Sequence, residues 1–515
     1  MVLVVRLIDV SIIRGNYFRD LADQNRVREI PIHAPRGEVF DRIGTPIAQN
    51  DQKKRVLVFE KGKPVTFRDS QEIKDTQTEV SISDYKRVYP EGEVLSHVLG
   101  LVGETTSLEV GKAGCPGNIL ALGDTVGRTG VEESFDCLLR GKNGSELVEV
   151  DSYGNKVRVL GRREPQKGED IHLSIDLSLQ RVATAALAGR PGAVVASDPR
   201  TGEILALVSS PTFDPNTFGQ DYRNLSQNSD KPLFNRAVGG KYPPGSTFKI
   251  VTAAAGLETG AINEQTRFQD PGVIKIGKFE YSNWYFTQYG KLEGEIDLPR
   301  AIARSTDTFF YKVGEWVGVA KLADWSRKFG FGEKTGIELV GEIGGIVPTP
   351  DWKERDRGER WFLGNTYHMA IGQGDVAASP IQINQMTSVI ASGGKLCKLT
   401  IVDRGQGTGD SCKQIGVSER TVSLIKQGMI GACSTGGTAF PFFDFKVGDR
   451  TIQVACKTGT AEFGDPQKRT HAWLTAFAPA ENPEIVVTAL VEAAGEGSYV
   501  AAPVAKQVLE DWFGR

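Results

Sequence analysis

What the sequence lacks narrows its class first. Its six cysteines, at 115, 137, 397, 412, 433 and 456, form no C-x-x-C pair and stand at no zinc-ligand spacing, so a zinc module is not indicated. Structural thiols are the default, and in an exported chain one or two disulfides are open, Cys115–Cys137 and Cys397–Cys412 being the nearest pairs. Neither sign of charge dominates: 61 Lys+Arg stand against 64 Asp+Glu, a net −3. Nothing therefore calls for nucleic acid or for a disordered acidic tail. No apolar run makes a complete membrane span. Residues 1–13 are apolar but carry Arg6 and Asp9, whereas a span takes roughly 20 apolar residues. A basic leader and an A-x-A site are also missing, so no signal peptide is recognisable. Residues 1–13 read either as an amphipathic or buried terminal segment or as the tail of an anchor that starts upstream.

What is there suits a globular protein of several domains. Hydrophobic residues make up 40% and charged residues 24% of 515, enough apolar material for a sizeable core. The 59 glycines cluster in turn-like contexts. Residues 14–175 read as short strands separated by glycine turns, among them 36–40, 55–59 and 156–160, with turns at 141–144 and 151–155. A helical pattern at 176–192 ends in Gly-Arg-Pro-Gly. A hairpin follows, 193–198 and 204–209 across Pro199-Arg200-Thr201-Gly202, and places the start of a second domain near 190. Helical patterns run over 246–258, 297–317, 319–329, 380–392 and 418–432. Apolar strands are expected at 451–456, 472–478 and 485–491, with a closing helix at 502–512. Strands at both ends of a domain and helices between them predict an α+β fold, an antiparallel sheet packed with helices.

The chemistry is concentrated at Lys241-Tyr-Pro-Pro-Gly-Ser-Thr-Phe-Lys249. Chain breakers followed at once by a helix put Ser246 at a helix N-terminus, where backbone N–H groups stabilise developing negative charge. Lys249 lies one turn on, along the same face. A serine beside an amine is a nucleophile–base pair when the amine is held neutral. S-x-x-K alone is weak evidence, since it also occurs at Ser83, Ser392 and Ser423. Ser83 sits in a strand-like stretch, Ser392 before two glycines, and Ser423 within a helix; only Ser246 has the breaker–helix frame. Lys-Thr-Gly likewise occurs twice. The copy at 334–336 reads as a surface turn, whereas Lys457-Thr458-Gly459 lies on a strand that continues through Thr460. Such a strand offers N–H groups to an oxyanion and an ammonium to a carboxylate. Ser305-Thr306-Asp307 stands in an apolar helix start, where a buried Ser and Asp need partners. Its rivals, Ser134-Phe-Asp136 and Ser226-Gln-Asn228, both precede Ser246.

Only 246, 305 and 457 give S-x-x-K, S-x-N/D and K-T-G in order, the signature of penicillin-recognising serine enzymes. The wider sequence resembles class B penicillin-binding proteins over nearly its whole length. Ala34-Pro-Arg-Gly37, Asp41-Arg42, Gly127-Arg-Thr-Gly-Val-Glu132 and Leu139-Arg-Gly141 are similar to the family's pedestal. Gly341–Trp352, Ala370–Asp375 and His471–Pro479 are similar to the transpeptidase domain of the elongation-type branch. A β-lactamase lacks the pedestal, and 190 N-terminal residues are too few for a class A glycosyltransferase domain.

The resemblance implies residues 1–13 as a possible anchor remnant, a pedestal over 14–175 and a transpeptidase domain over 190–515. It implies a single-pass membrane protein with its catalytic domain outside the cytoplasm, and a membrane glycosyltransferase and other elongation proteins as partners. The substrate would be a peptidoglycan stem peptide ending in D-Ala-D-Ala, and β-lactams would acylate the same serine. Ser246 would attack with Lys249 as base, Ser305 relaying a proton. Backbone N–H groups of Ser246 and Thr460 would form the oxyanion hole. Lys457, with Thr458, Gly459 and Thr460, would bind the terminal carboxylate. Asp307 departs from the Asn of much of the wider family; a carboxylate only accepts, so it is expected to hold Lys249 or Lys457. Cys456, where Gly is usual, reads as packing on the strand face opposite Lys457. Some members of this branch hold zinc near the second motif, but residues 266–305 contain no His or Cys and that site is not carried over. No cofactor is expected. A D,D-carboxypeptidase, a β-lactam sensor and a non-catalytic scaffold of the elongation machinery stay open as alternatives.

Overall fold

The computed structural model describes residues 2–17, 26–60, 63–69, 79–116, 118–151, 156–403 and 411–515. The turn expected at 151–155 lies mostly outside them. The chain divides into two compact units: 1–40, 44–92 and 99–172 form the first, and 41–43, 93–98 and 173–515 the second.

The first unit is strand-rich. Val27–Ile32, Gly144–Val150 and Lys156–Arg163 form one antiparallel sheet. Pro46–Glu60 pairs with both Lys63–Asp69 and Glu79–Val88 in another. Ile30, Leu57, Phe59, Ile82, Val148 and Val150 meet in a small core. The sequence landmarks of this region converge on a buried charge cluster. Glu132, wholly buried, accepts from Arg36 Nε at 2.5 Å and Arg87 Nε at 2.6 Å. Asp136 accepts from Arg36 Nη1 at 2.7 Å and Gly127 N at 2.8 Å. A Cβ on Gly127 would stand 1.8 Å from Glu132 O, so the backbone closes on this cluster only because Gly127 has no side chain. The helix Val2–Ile8 and the π-helical turn Asp9–Ile13 expose Leu3, Val4, Val5, Leu7, Ile12 and Ile13. Among the described residues no helix is long and apolar enough to cross a membrane.

In the second unit five strands, β1 (Gly192–Ser197), β2 (Ile204–Ser210), β3 (Ala455–Glu462), β4 (Thr470–Ala478) and β5 (Ile485–Val491), form an antiparallel sheet in the order β2-β1-β5-β4-β3. Seven helices matter here: α1 (Leu177–Leu187), α2 (Lys249–Glu258), α3 (Leu298–Arg304), α4 (Asp307–Val317), α5 (Pro380–Ala391), α6 (Glu419–Ala432) and α7 (Ala501–Gly514). Period-2 alternation divides the sheet between two cores. Trp473, Phe477, Val486 and Leu490 face one core together with α5 and α2, while Leu474, Ala476, Val487 and Ala489 face another with α1 and α7. Every residue of α5 is buried, and its polar ones are satisfied. Asn384 donates to Val195 O and Val486 O at 3.0 and 3.2 Å, binding the helix to two strands of the sheet.

Four local readings are corrected. The helix expected over 297–317 is broken at Ser305, which adopts φ 56° between α3 and α4. The strand expected at 451–456 starts at Ala455 and runs on to Glu462; Ile452 and Val454 join the α7 core from the coil before it. The Lys-Thr-Gly at 334–336 is no surface turn at its threonine: Thr335 is buried, its N–H and hydroxyl donating to Glu342 at 2.6 and 2.5 Å. Cys456 does face away from Lys457, but it is bonded to Cys433 rather than merely packed. Cys115–Cys137 and Cys397–Cys412 are also disulfides, so all six thiols are oxidised.

Candidate active site

Ser246 sits in a 3₁₀ turn, Gly245–Phe248, that runs directly into α2. Gly245 takes φ 54°, and a Cβ there would press on Thr460 O at 3.0 Å. Its N–H donates to Gly372 O at 2.8 Å. The turn is thus seated between the 372 loop and β3, and Ser246 remains half-buried, facing the cleft. Gly459 serves the same closeness: a side chain there would meet Trp473 Cβ at 3.0 Å, Thr247 Cγ2 at 3.1 Å and Pro244 O at 3.3 Å. Ser83 lies on a strand, Ser392 caps the end of α5 and Ser423 is within α6.

Lys249 is wholly buried. Its Nζ donates to Asp307 Oδ1 at 2.7 Å and Ser305 O at 2.8 Å, with Ser305 Oγ at 3.2 Å. Lys457, equally buried, reaches Ser305 Oγ at 2.9 Å and Thr458 O at 2.9 Å. The left-handed turn at Ser305 allows this convergence, because it turns both the carbonyl and the hydroxyl of one residue towards Lys249. Burial lowers the Lys249 pKa, and the Asp307 carboxylate opposes it. Burial, then the neighbouring Lys249 charge, pushes Lys457 well below the ordinary lysine value, again with Asp307 opposing. A neutral lysine has two N–H groups and one lone pair. Asp307 Oδ1 and Ser305 O accept from two of its N–H groups, and the third contact, Ser305 Oγ, is a hydroxyl that can exchange a proton with the lone pair of a neutral amine.

β3 is the edge strand of the sheet, so its outer backbone is available to an extended ligand. Thr458 exchanges a 2.8 Å hydrogen bond with Thr438 Oγ1, while Thr460 is exposed. The Cys433–Cys456 bridge ties the C-terminal end of α6 to the residue before Lys457. All eight residues singled out in the sequence, Ser246, Lys249, Ser305, Asp307, Lys457, Thr458, Gly459 and Thr460, thus gather around one cleft of about 1400 Å³.

Sequence reasoning missed the shell around Asp307. Trp284 N donates to Asp307 Oδ2 at 3.3 Å, and Asn283 Oδ1 accepts from Asp307 N at 3.4 Å. Buried Asp270 accepts from Gly272 N, Asn283 Nδ2, Glu293 N and Thr308 Oγ1 at 2.9, 3.1, 3.0 and 2.7 Å. Four donors saturate this carboxylate, so it is not an open metal ligand. Apart from Gly272, two residues from Asp270, the partners lie 13–38 positions away, beyond any local pattern.

Comparison with known proteins agrees with this geometry. The penicillin binding protein transpeptidase domain matches residues 192–510, and the penicillin-binding protein dimerisation domain matches 63–173. The chain is 33% identical to the peptidoglycan D,D-transpeptidase MrdA of Acinetobacter baumannii, over all of this chain and 85% of that protein. Among solved structures, PBP2 of Helicobacter pylori in complex with MreC superposes with TM-score 0.81 at 28% identity, covering 95% of this chain and 99% of that one. Pseudomonas aeruginosa PBP2 in complex with WCK 5153 gives TM-score 0.77 at 33% identity, covering 94% and 96%.

Proposed function

The chain belongs to the penicillin-binding protein transpeptidase family, and from that premise we propose that it cross-links peptidoglycan stem peptides during cell-wall elongation through an acyl-enzyme on Ser246. The observation that carries the reading is the meeting of Lys249 and Lys457 at the Ser305 hydroxyl, in the cleft that Ser246 also lines. Ser246 Oγ attacks the penultimate D-Ala carbonyl as Lys249 takes its proton. The N–H groups of Ser246 and Thr460 hold the oxyanion, and a donor of this kind is worth about 2.7–4 kcal/mol in the transition state. Ser305, hydrogen-bonded to both lysines, passes a proton to the departing D-Ala. Lys457, Thr458 and Thr460 bind the terminal carboxylate. An amine of a second stem peptide then resolves the ester. β-Lactams enter the same sequence as far as the acyl-enzyme.

The setting we propose is the outer side of a cell membrane, with a single-pass anchor at the N-terminal side and partners in the elongation machinery, among them a membrane glycosyltransferase. Three disulfides support an oxidising compartment. The assembly of the Helicobacter pylori relative with MreC supports partners of that kind. Incubation with polymerised glycan strands, followed by mass spectrometry of digested muropeptides, tests the reaction. Cross-linked dimers are expected; monomers shortened by one D-Ala and no dimers would make the protein a carboxypeptidase instead.

A further inference from the structure

Resolving the acyl-enzyme requires a second peptide in the cleft, and the structure carries a place for it. The cavity of about 1400 Å³ exceeds the roughly 300–1,000 Å³ of an ordinary single-ligand pocket. Along β3 the side chains of Thr458, Thr460 and Glu462 share one face, and Thr460 and Glu462 are exposed, while Lys457, Gly459 and Ala461 are buried. Glu462 therefore lies about 7 Å beyond Thr460 on the ligand side of the strand. The other glutamates lining the cleft have partners: Glu492 takes Arg236 at 2.8 Å, Glu280 takes Lys275 at 2.8 Å, and Glu496 accepts from Gln288 at 3.0 Å. Among the described residues, the Glu462 carboxylate has neither a cation nor a hydrogen-bond donor. Its backbone is held in place by the Gln373 carboxamide, 3.1 Å from its N–H and 3.3 Å from its carbonyl.

A second, independent feature faces the same part of the cleft. Tyr311 is only 6% exposed and lines the cleft, and its hydroxyl takes no hydrogen-bond partner among the described residues. Its ring is fixed by stacking on Tyr367 at 5.2 Å and by the edge of Tyr281 at 5.7 Å. Burial, then the carboxylates of Asp307 and Glu462, hold this hydroxyl protonated. A free carboxylate, an unpartnered hydroxyl oxygen and an aromatic wall are what a primary ammonium seeks: charge, a lone pair and a ring quadrupole.

We propose that Glu462, Tyr311 and the ring of Tyr281 form the acceptor subsite, binding the side-chain ammonium of the second stem peptide. This rests on the transpeptidase reading; the site, not the amine, is the new element. The ammonium gives one proton to the Glu462 carboxylate. The freed lone pair forms the C–N bond to the acyl carbon, and the ester C–O pair returns to Ser246 Oγ. The second proton of the amine passes through Lys249 to that oxygen. The ester and the ammonium become an amide, a restored serine and one proton left on Glu462.

The test follows how the acyl-enzyme from a thioester D-Ala donor divides between water and nucleophile. Two nucleophiles are compared, a peptide with a lysine side-chain amine and hydroxylamine, which is neutral at the working pH. In Glu462→Gln the lysine peptide concentration giving half-maximal aminolysis should rise about tenfold, the scale of one charge-assisted hydrogen bond. In Tyr311→Phe it should rise less. Hydroxylamine should compete with water as in the parent. An unchanged half-maximal concentration would overturn the subsite, as would an equal loss with both nucleophiles, which would assign Glu462 to shaping the strand. Penicillin labelling of the parent protein is measured alongside: its failure would remove the transpeptidase reading itself, an outcome distinct from either.

Discussion

Lys249 and Lys457 meet at a single oxygen, the Ser305 hydroxyl, at 3.2 and 2.9 Å, although one lies at the start of a helix and the other on the edge strand. Both are wholly buried. Two buried ammonium groups sharing one acceptor oppose each other, and a single carboxylate, Asp307, stands against them. Both amines are therefore held below the ordinary lysine value, Lys457 further than Lys249, which sits nearer the opposing carboxylate.

Asp307→Asn should move the acidic limb of acylation to lower pH. Lys249 acts when neutral, burial already lowers its pKa, and the Asp307 anion is what raises it again. Replacing the anion with an amide lowers it further, so the base is free at lower pH. The rate at neutral pH should fall less than about tenfold, because an amide still accepts one hydrogen bond. Acylation by fluorescent penicillin across pH 5–9 decides this; an unchanged limb would separate Asp307 from the base.

Replacing both Cys433 and Cys456 with alanine should destabilise the protein by about 3 kcal/mol, the scale for a loop of this size. The bridge closes 23 positions of sequence and lies on the sheet face opposite Lys457. Below the unfolding transition the acylation rate should stay close to that of the parent. Denaturant unfolding with parallel labelling measures both.

Glu132→Ala should cost the first unit about 3–5 kcal/mol, since it leaves Arg87 buried without its carboxylate partner and Arg36 with Asp136 alone. Urea unfolding that leaves the midpoint unmoved would contradict the structural role of this cluster.

His97 is buried, and burial first, with the Arg236 charge, lowers its pKa to about 4 from 6.5. The unfolded chain therefore takes up this proton first as pH falls. The stability it contributes is complete above pH 6.5 and is lost between there and about pH 4, at about 1.4 kcal/mol per unit. Melting temperatures over that window should drop less in His97→Gln than in the parent.

Much of this was legible in the sequence, because the relevant signals are local. Chain breakers before a helix marked Ser246, continuous apolar runs marked β4 and β5, and an ordered triple of motifs separated Lys457 from the copy at 334. What was not legible depends on neighbours distant in sequence. The break at Ser305 puts a non-glycine residue in a left-handed conformation inside an apolar, helix-forming run, and only the two lysines it serves explain it. The bond between Cys433 and Cys456 needs α6 to end against β3, which no spacing announces. Asn283 and Trp284 hold Asp307, and Asp270 holds Asn283, from a segment that carries no motif of its own.

The most direct test of the account is intact-mass spectrometry of the parent and of Ser246→Ala after treatment with fluorescent penicillin. The account predicts a single adduct on the parent, mapping to the peptide that contains Ser246, and none on a variant whose circular dichroism and melting are unchanged. An adduct that persists on the variant, or that maps to Ser83, Ser392 or Ser423, would contradict it.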